Sequence, residues 1–230
     1  MPRADGRAPD QLRPVSFVVD VQPSPAASVE VSFGATRVLV AVSVEDRTPP
    51  WRGDAGWLTG EYAMLPGATT DRARRERTGP GGRSKEIERL LGRSLRAAVD
   101  LDAMPPITLT VDADVLVADG GTRTAAITGG WVAVARALRA VGAEAALVRQ
   151  VAAVSVGVVD GEVRLDLPYE EDGRAEVDMN VVAAAGGDLI EVQGTAEGAP
   201  FSRAQHDRML DLALAGVEEL AVLQRAAVEA

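Results

Sequence analysis

The chain has 230 residues, no cysteine, a single histidine and a formal net charge of −10. This length allows one large domain with a full hydrophobic core. Without cysteine there are no disulfides or thiolate metal sites, so any metal site must use oxygen ligands, which favours Mg²⁺ or Mn²⁺. The N-terminal residues lack an apolar signal core, and no run of about 18 uncharged apolar residues occurs. We therefore expect a cytoplasmic protein without a membrane segment.

The first half of the chain begins with strand patterns and continues into a helix. Apolar residues alternate strictly over 28–45, interrupted at 34–36, which predicts a hairpin with one buried face. Residues 47–82 have no clean period and many prolines and glycines, which is typical of a functional loop. From Ser84, a plausible N-cap, apolar residues recur at intervals of three and four, so an amphipathic helix follows.

A glycine-rich junction separates the next predicted strand, 107–117, from a predicted helix, 125–139. Within it, Gly121, Thr122 and Arg123 combine a flexible backbone, a hydroxyl and a guanidinium at a helix start, a combination suited to a tetrahedral anion such as phosphate. No Walker loop or dinucleotide fingerprint is present. The alternative is an ordinary strand-to-helix turn with threonine caps.

The second half repeats the order of hairpins followed by a helix. A hairpin is predicted over 151–167, with a two-residue turn at Asp160 and Gly161. Strands at 177–184 and 188–193 follow, and a helix runs from Ser202 to the end. We therefore expect an α+β fold of duplicated hairpin-plus-helix halves, 1–148 and 149–230, packed as mixed sheets with helices into one domain that shares sheet and core.

An acidic segment precedes and enters the strand at 177–184. Period two places Glu176, Asp178 and Asn180 on one face, and Asp172 lies in the turn before them. These groups could hold a divalent cation or supply a general acid. The alternative is a solvated edge strand. A phosphate site together with an oxygen-only metal site would suit phosphoryl chemistry.

Arginines are concentrated in the irregular segment. Basic side chains near aromatic rings suit single-stranded nucleic acid, and an ordinary solvated charge run is the alternative. The arginines are Arg72, Arg74, Arg75 and Arg77, and the aromatic residues upstream are Trp51, Trp57 and Tyr62. Arg83 stands at the start of the predicted helix, where its guanidinium could face a bound anion together with Arg123.

Taken together and in order, several segments resemble the bacterial ribonuclease PH family. The resemblance covers nearly the whole chain, and no single motif carries it. The segments are 5–15, 56–66, 82–96, 118–129, 166–181 and 191–202.

The resemblance implies a ribonuclease PH-like fold and a phosphate-dependent 3′→5′ exoribonuclease that trims transfer RNA precursors and other RNA 3′ ends. Inorganic phosphate would be the co-substrate and nucleoside 5′-diphosphates the product, in a reversible nucleotidyl transfer. Arg83 and residues 121–123 would bind phosphate, while Asp172 and Asp178 would serve Mg²⁺ or act as general acid. The family forms a homo-hexamer, a trimer of dimers, and RNA would reach the sites past Arg72, Arg74, Arg75 and Arg77.

One departure from the family pattern affects the expected RNA path. Gly67 stands where the family commonly has arginine, and Arg74 and Arg77 are candidates to compensate for it. Two other functions remain open on the sequence. One is a non-catalytic RNA-binding ring subunit, which would have no reason to keep the phosphate-binding and acidic residues. The other is a hydrolytic phosphoesterase, which would need clustered carboxylates for two metals.

Overall fold

A computed structural model describes residues 3–76 and 79–230 and contains two β-sheets packed with helices. The first sheet has five strands in the order β1-β2-β3-β5-β4. Its inward positions are almost all aliphatic, and Val29, Val31, Val38 and Val40 are fully buried. The strands are β1 (Val15–Val19), β2 (Ala27–Phe33), β3 (Thr36–Glu45), β4 (Trp57–Met64) and β5 (Thr108–Val117).

Strand β4 lies inside the segment that the sequence analysis treated as irregular, so that expectation was wrong for residues 57–64. It pairs with β5 in parallel, whereas the other pairs of this sheet are antiparallel. Helix α1 (Gly82–Arg96) connects the two parallel strands and packs on β4. A parallel pair needs such a crossover, and the stretch before α1 brings residues 65–76 past the end of the sheet.

The second sheet is antiparallel, with the order β7-β6-β8-β9. The hairpin predicted at Asp160 and Gly161 is confirmed, and their φ angles of 54° and 74° are those that a two-residue turn requires. Strand β9 lies at the edge of the sheet and is largely exposed, while β6 is buried along its whole length. The strands are β6 (Val151–Val159), β7 (Glu162–Leu165), β8 (Val177–Ala184) and β9 (Leu189–Ala196).

Helix α2 (Thr122–Ala140) joins the two halves through the core. It contacts β2 and β3 of the first sheet and β6 of the second, and most of its residues are buried. Buried Gln224 donates to the carbonyls of Thr128 and Val151, which ties the C-terminal helix α4 (Arg203–Glu229) to α2 and β6. The α+β fold is therefore confirmed, although the halves share a core and not a sheet.

The remaining helical elements are short. Helix α3 (Tyr169–Asp172) precedes β8, and 3₁₀ turns occur at Pro50–Arg52 and Glu144–Ala146. The helix predicted from Ser202 is capped by that residue, which forms a capping box with Gln205. In the described part of the chain, no helix has the length and apolar character needed to span a membrane.

The cap predicted for α1 was wrong, because the N-cap residue is Gly81 and not Ser84. The Glu76 carboxylate, from the preceding loop, accepts hydrogen bonds from the Gly81 N–H at 3.0 Å and the Ser84 hydroxyl at 3.1 Å. A carboxylate at this end also interacts favourably with the helix dipole.

Candidate functional site

A cleft of about 680 Å³ lies where the two halves meet. Most of the residues singled out in the sequence line it, from both halves of the chain. The first half supplies Arg74, Arg83, Gly121, Thr122 and Arg123, and the second supplies Asp172, Asp178 and Asn180. Glu176 is exposed and outside the cleft, where its carboxylate accepts from the Gly161 N–H, so the predicted acidic face is shorter than expected.

The glycine-rich junction forms a left-handed turn that ends at the first residue of α2. Gly120 and Gly121 have φ angles of 71° and 67°, a conformation that favours glycine. No side chain among the described residues caps α2, so the first N–H groups of this helix stay available to a ligand. Thr122 begins the helix, and its hydroxyl is 2.9 Å from the Tyr62 hydroxyl, which fixes its position. The turn formed by residues 119–122 is thus suited to bind an anion, and we call it the anion turn.

The turn packs directly against the acidic segment. A Cβ atom on Gly120 would stand 2.4 Å from the Leu167 carbonyl oxygen and 2.8 Å from the Tyr169 nitrogen, so only glycine fits there. The Asp119 carboxylate accepts a hydrogen bond from the Tyr169 N–H at 3.2 Å. The anion turn and α3 are therefore held in one rigid arrangement.

Two arginines face the cleft beside this turn. Arg83 lies in the first turn of α1, is exposed, and makes no hydrogen bond or ion pair with the described residues. Arg123 is held by the side-chain oxygens of Gln193 at 3.0 Å and Glu86 at 3.3 Å. One guanidinium is thus free and the other is oriented by neighbours, so both can contribute to an anion site.

Asp172 and Asp178 form the acidic side of the cleft, and neither is in an ion pair within residues 3–76 and 79–230. Burial, followed by the negative charge of Asp172, raises the pKa of Asp178 to about 6, against a smaller opposing effect of Arg123. Burial also raises the pKa of Asp172, although Arg83, Arg123 and Arg13 act to lower it. Such perturbed carboxyl groups in a cleft are typical of functional sites.

Within the described residues, no group of three or more acidic or histidine side chains could hold a metal ion by itself. Two carboxylates without ion-pair partners beside an anion site nevertheless fit Mg²⁺, which is commonly held by one or two carboxylates together with substrate phosphates and water. The oxygen-only donor set is unsuited to softer metals.

Arg13, which precedes β1, supports the anion turn from behind. Its guanidinium donates to Asp166 at 2.7 and 3.0 Å and to the carbonyl oxygens of Asp119 at 2.5 Å and Gly120 at 3.3 Å. Arg13 and Asp166 are both buried, and Asp166 adopts a φ of 53°, which is uncommon for a residue other than glycine. The fork geometry of arginine thereby joins the anion turn to the strand end before α3.

Arg3 supports the acidic segment in the same way. Its guanidinium donates to both carboxylate oxygens of Glu171, at 2.9 and 3.2 Å, and to the Asp166 carbonyl at 2.8 Å. Arg164 also donates to Glu171, at 2.8 Å. Glu171 immediately precedes Asp172, so these buried contacts fix the backbone that carries the catalytic candidate.

The arginine segment is only partly at the cleft. Arg74 lines it, Arg72 and Arg75 are exposed outside it, and Arg77 lies outside the described residues. The upstream aromatic residues do not form a stacking surface at the cleft. The Trp51 and Trp57 rings pack edge to face, the guanidinium of Arg96 lies over Trp57, and Tyr62 is buried.

Sequence reasoning missed several residues of the site. Tyr62 was grouped with the nucleic-acid aromatics, and Arg3, Arg13 and Glu171 were not singled out. Their partners are more than 100 positions away along the chain, or in a separate element, so no local pattern connects them. An arginine among apolar residues, as in Leu12-Arg13-Pro14-Val15, was the one available signal, since buried arginine is almost always paired.

Two family models match this chain, one over each half. Residues 11–139 match the model of the 3′ exoribonuclease family, domain 1, and residues 149–216 match domain 2. Among solved structures, rice (Oryza sativa) Rrp46 superposes with a TM-score of 0.82 at 24% identity, covering 98% of this chain and all of the other. An Archaeoglobus fulgidus exosome with RNA bound to the active site superposes with a TM-score of 0.81 at 22% identity, covering 95% of this chain and 91% of the other. These structures share the fold.

Curated relatives are much closer in sequence. The ribonuclease PH of Nocardia farcinica is 57% identical, covering 98% of this chain and 92% of its own length. The ribonuclease PH of Saccharopolyspora erythraea is 55% identical, covering 100% of this chain and 96% of its own length. With two family domains in order and this identity over nearly the full length, the chain belongs to the ribonuclease PH group of the 3′ exoribonuclease family.

Proposed function

We propose that the cleft is the active site and that its substrates are the 3′ ends of transfer RNA precursors and similar RNAs. The enzyme class predicted from the sequence is confirmed: the chain is a phosphorolytic 3′→5′ exoribonuclease. The observation that carries the site assignment is the meeting of an anion turn and two arginines with two carboxylates of raised pKa in one cleft.

Inorganic phosphate binds at the start of α2 in this proposal. The free N–H groups of the turn at Gly121 and the Thr122 hydroxyl supply neutral donors, and Arg83 and Arg123 supply positive charge. Arg123 already lies within reach of two acceptors, so a phosphate oxygen replaces the weaker of its contacts, the 3.3 Å one to Glu86. The chemistry that follows is mainly positioning and charge stabilisation.

In the reaction, a phosphate oxygen attacks the phosphorus of the last phosphodiester linkage and the bond to the 3′ oxygen of the preceding nucleotide breaks. The terminal nucleotide leaves as a nucleoside 5′-diphosphate, and the 3′ oxygen takes up a proton to become the new 3′ hydroxyl. Asp178 is our candidate for the donor, because a pKa of about 6 keeps part of its population protonated near neutral pH.

We further propose that the ionised carboxylates of Asp172 and Asp178 can hold Mg²⁺ (or Mn²⁺), a role that is the alternative to proton donation for Asp178. The support is their position beside the phosphate site and the lack of ion-pair partners among the described residues. When bound, the ion would neutralise charge on the phosphodiester and on the leaving oxygen.

Arg74 is proposed as the RNA contact nearest the scissile linkage, and Arg72 and Arg75 as contacts farther along the RNA. Arg77, which lies outside the described residues, is a further candidate. The three described arginines are exposed and have no partners among the described side chains, which suits a path for phosphates. Gly67, which stands where the family commonly has arginine, contributes no positive charge to this path. For single-stranded RNA, binding should fall with salt by a log-log slope of about −0.7 per phosphate contacted, and Arg74→Ala should reduce that slope by about one such unit.

We also propose a homo-hexamer built as a trimer of dimers. The support is the family resemblance, which implies this ring, together with the fold shared with a chain of an archaeal exosome core and a chain of an RNA-bound exosome. Analytical ultracentrifugation at micromolar concentration tests this directly, and a monomer under those conditions contradicts it.

The deciding experiment is product analysis of a 3′-extended transfer RNA incubated with the protein and Mg²⁺, with and without inorganic phosphate. Nucleoside diphosphates that appear only with phosphate support the proposal. Monophosphates in both reactions would indicate hydrolysis instead. RNA binding without any product would support a scaffold role.

A pair of variants tests the site within that assay. Arg123→Ala should raise KM for phosphate while RNA affinity stays near that of the wild type, because the arginine faces the anion turn. Arg136→Ala is the matched control, since Arg136 pairs with Asp20 away from the cleft. Equal loss of phosphate use and RNA binding in Arg123→Ala would contradict a dedicated phosphate site.

A further inference from the structure

Two aromatic side chains line the cleft in the described part of the chain, and they differ in exposure. Tyr62 is 4% exposed and its hydroxyl is bonded to Thr122, so its ring is part of the core. Tyr169 is 66% exposed, although tyrosine usually buries much of its ring. An open aromatic face at a polar cleft therefore needs an explanation that packing does not give.

The backbone of Tyr169 is firmly held, so the ring projects from a fixed base. Its N–H donates to Asp119, its carbonyl accepts from the Gly173 N–H at 2.8 Å, and the neighbouring Glu171 is locked by two buried arginines. Tyr169 and Asp172 are the first and last residues of α3, one turn apart, which places the ring beside the carboxylate on one side of the helix.

We propose that Tyr169 is the stacking platform for the nucleobase at the RNA 3′ end, an inference that rests on the proposed function. An exonuclease that removes one nucleotide after another must accept every base at this position. Stacking on an aromatic ring provides that tolerance, because every base has a π-face, whereas hydrogen bonds to base edges would discriminate. The ring is anchored next to the residues assigned to the terminal linkage, where the last base must lie.

Two substitutions and two RNAs test the platform. Tyr169→Ala and Tyr169→Phe are compared on an RNA that ends in uridine and on the same RNA ending in 5,6-dihydrouridine, whose saturated ring cannot stack. Loss of one base–aromatic stack should raise KM for RNA by about 5-fold to about 150-fold in Tyr169→Ala. Tyr169→Phe should stay near the wild type, and KM for phosphate should not change in either variant.

The substrate change gives the sharper result, because it leaves the protein intact. Dihydrouridine should impair the wild type and Tyr169→Phe but have little further effect on Tyr169→Ala. An equal penalty in all three proteins, or an unchanged KM for uridine-ended RNA in Tyr169→Ala, overturns the platform. So does a Tyr169→Ala variant whose defect is explained by a changed sedimentation coefficient, since the ring would then serve assembly.

Trp51→Ala is the matched control, because Trp51 is 67% exposed and does not line the cleft. It should leave KM for both RNAs unchanged. Phosphate-dependent release of diphosphates by the wild type separates the two proposals. If that release occurs but Tyr169 has no effect, only the platform fails, and if it does not occur, the proposed function itself fails.

Discussion

Asp178→Asn should stabilise the protein while it removes activity. The pKa of Asp178 is raised from 3.8 to about 6, so the ionised form is disfavoured in the folded state. At about 1.4 kcal/mol per pKa unit, the shift corresponds to at most about 3 kcal/mol of lost stability above pH 6. The group makes no hydrogen bond or ion pair with other described side chains, so asparagine should remove this cost without breaking a contact.

The sign of the pH dependence follows from proton binding. Between pH 3.8 and about 6 the folded state binds more protons at this site than the unfolded state, so stability falls as the pH rises through that window. The advantage of Asp178→Asn should therefore be complete at pH 7.5 and nearly absent at pH 3.5. Urea unfolding at both values, at one protein concentration and without phosphate or Mg²⁺ in the buffer, measures it.

Asp54→Asn is a suitable control, because Asp54 is an exposed carboxylate outside the cleft. It should change the free energy of unfolding by no more than about 0.5 kcal/mol at either pH. Burial, together with the charges of Glu61 and Asp114, also raises the pKa of Asp112 to about 6. Asp112 is present in every variant, so its contribution to the pH dependence cancels when the free energies of unfolding of variant and wild type are subtracted. An Asp178→Asn gain that is absent at pH 7.5, or that persists at pH 3.5, would refute the reasoning.

Three further predictions concern the supports of the site. Arg13→Met should lower the free energy of unfolding by about 3 kcal/mol, measured in urea, because it leaves the buried Asp166 carboxylate with only the longer 3.7 Å ion pair to Arg7; a loss below about 1 kcal/mol would contradict this. Gly120→Ala should raise KM for phosphate strongly, whereas Gly142→Ala, with the same φ of 71° but nothing within 4 Å, should not. Glu86→Gln should lower KM for phosphate by about 2- to 5-fold, since it removes a negative charge beside the anion site; an increase would count against it.

Where local pattern and burial agree, the sequence was a good guide to the fold. The alternation of residues 28–45 and the turn at Asp160 and Gly161 correspond directly to paired strands. Strand β4 was missed because its inward positions include Gly60, which interrupts the apolar alternation. A Cβ atom there would stand 3.0 Å from the Leu91 side chain, so the helix that packs on the strand requires the glycine.

The chemical groups of the candidate site could be predicted from the sequence, but the buried contacts that hold them in place could not. Residues 121–123 and Asp178 carry their chemistry in short motifs, and the cleft brings them together. The contacts of Arg3 and Arg13 join segments more than 100 residues apart, for which the sequence has no period or spacing rule. The cap of α1 was misassigned for a different reason: its acceptor, Glu76, lies in the preceding loop only five residues before Gly81, and the sequence pattern around Ser84 does not show this contact.

The two halves of the chain have similar layouts but contribute different groups to the proposed chemistry: the cationic and backbone donors lie in the first half, and Asp172 and Asp178 lie in the second, although Asp71 and Glu76 of the first half also line the cleft. The proposed active site can therefore be inactivated by a substitution on which the fold does not depend. On the proposed assignment, a change that neutralises Asp178 leaves the proposed phosphate-binding and RNA-binding groups of the first half in place. On that assignment, a single substitution is enough to give a protein that still binds RNA but no longer cleaves it, which is a short evolutionary route from ribonuclease to inert subunit.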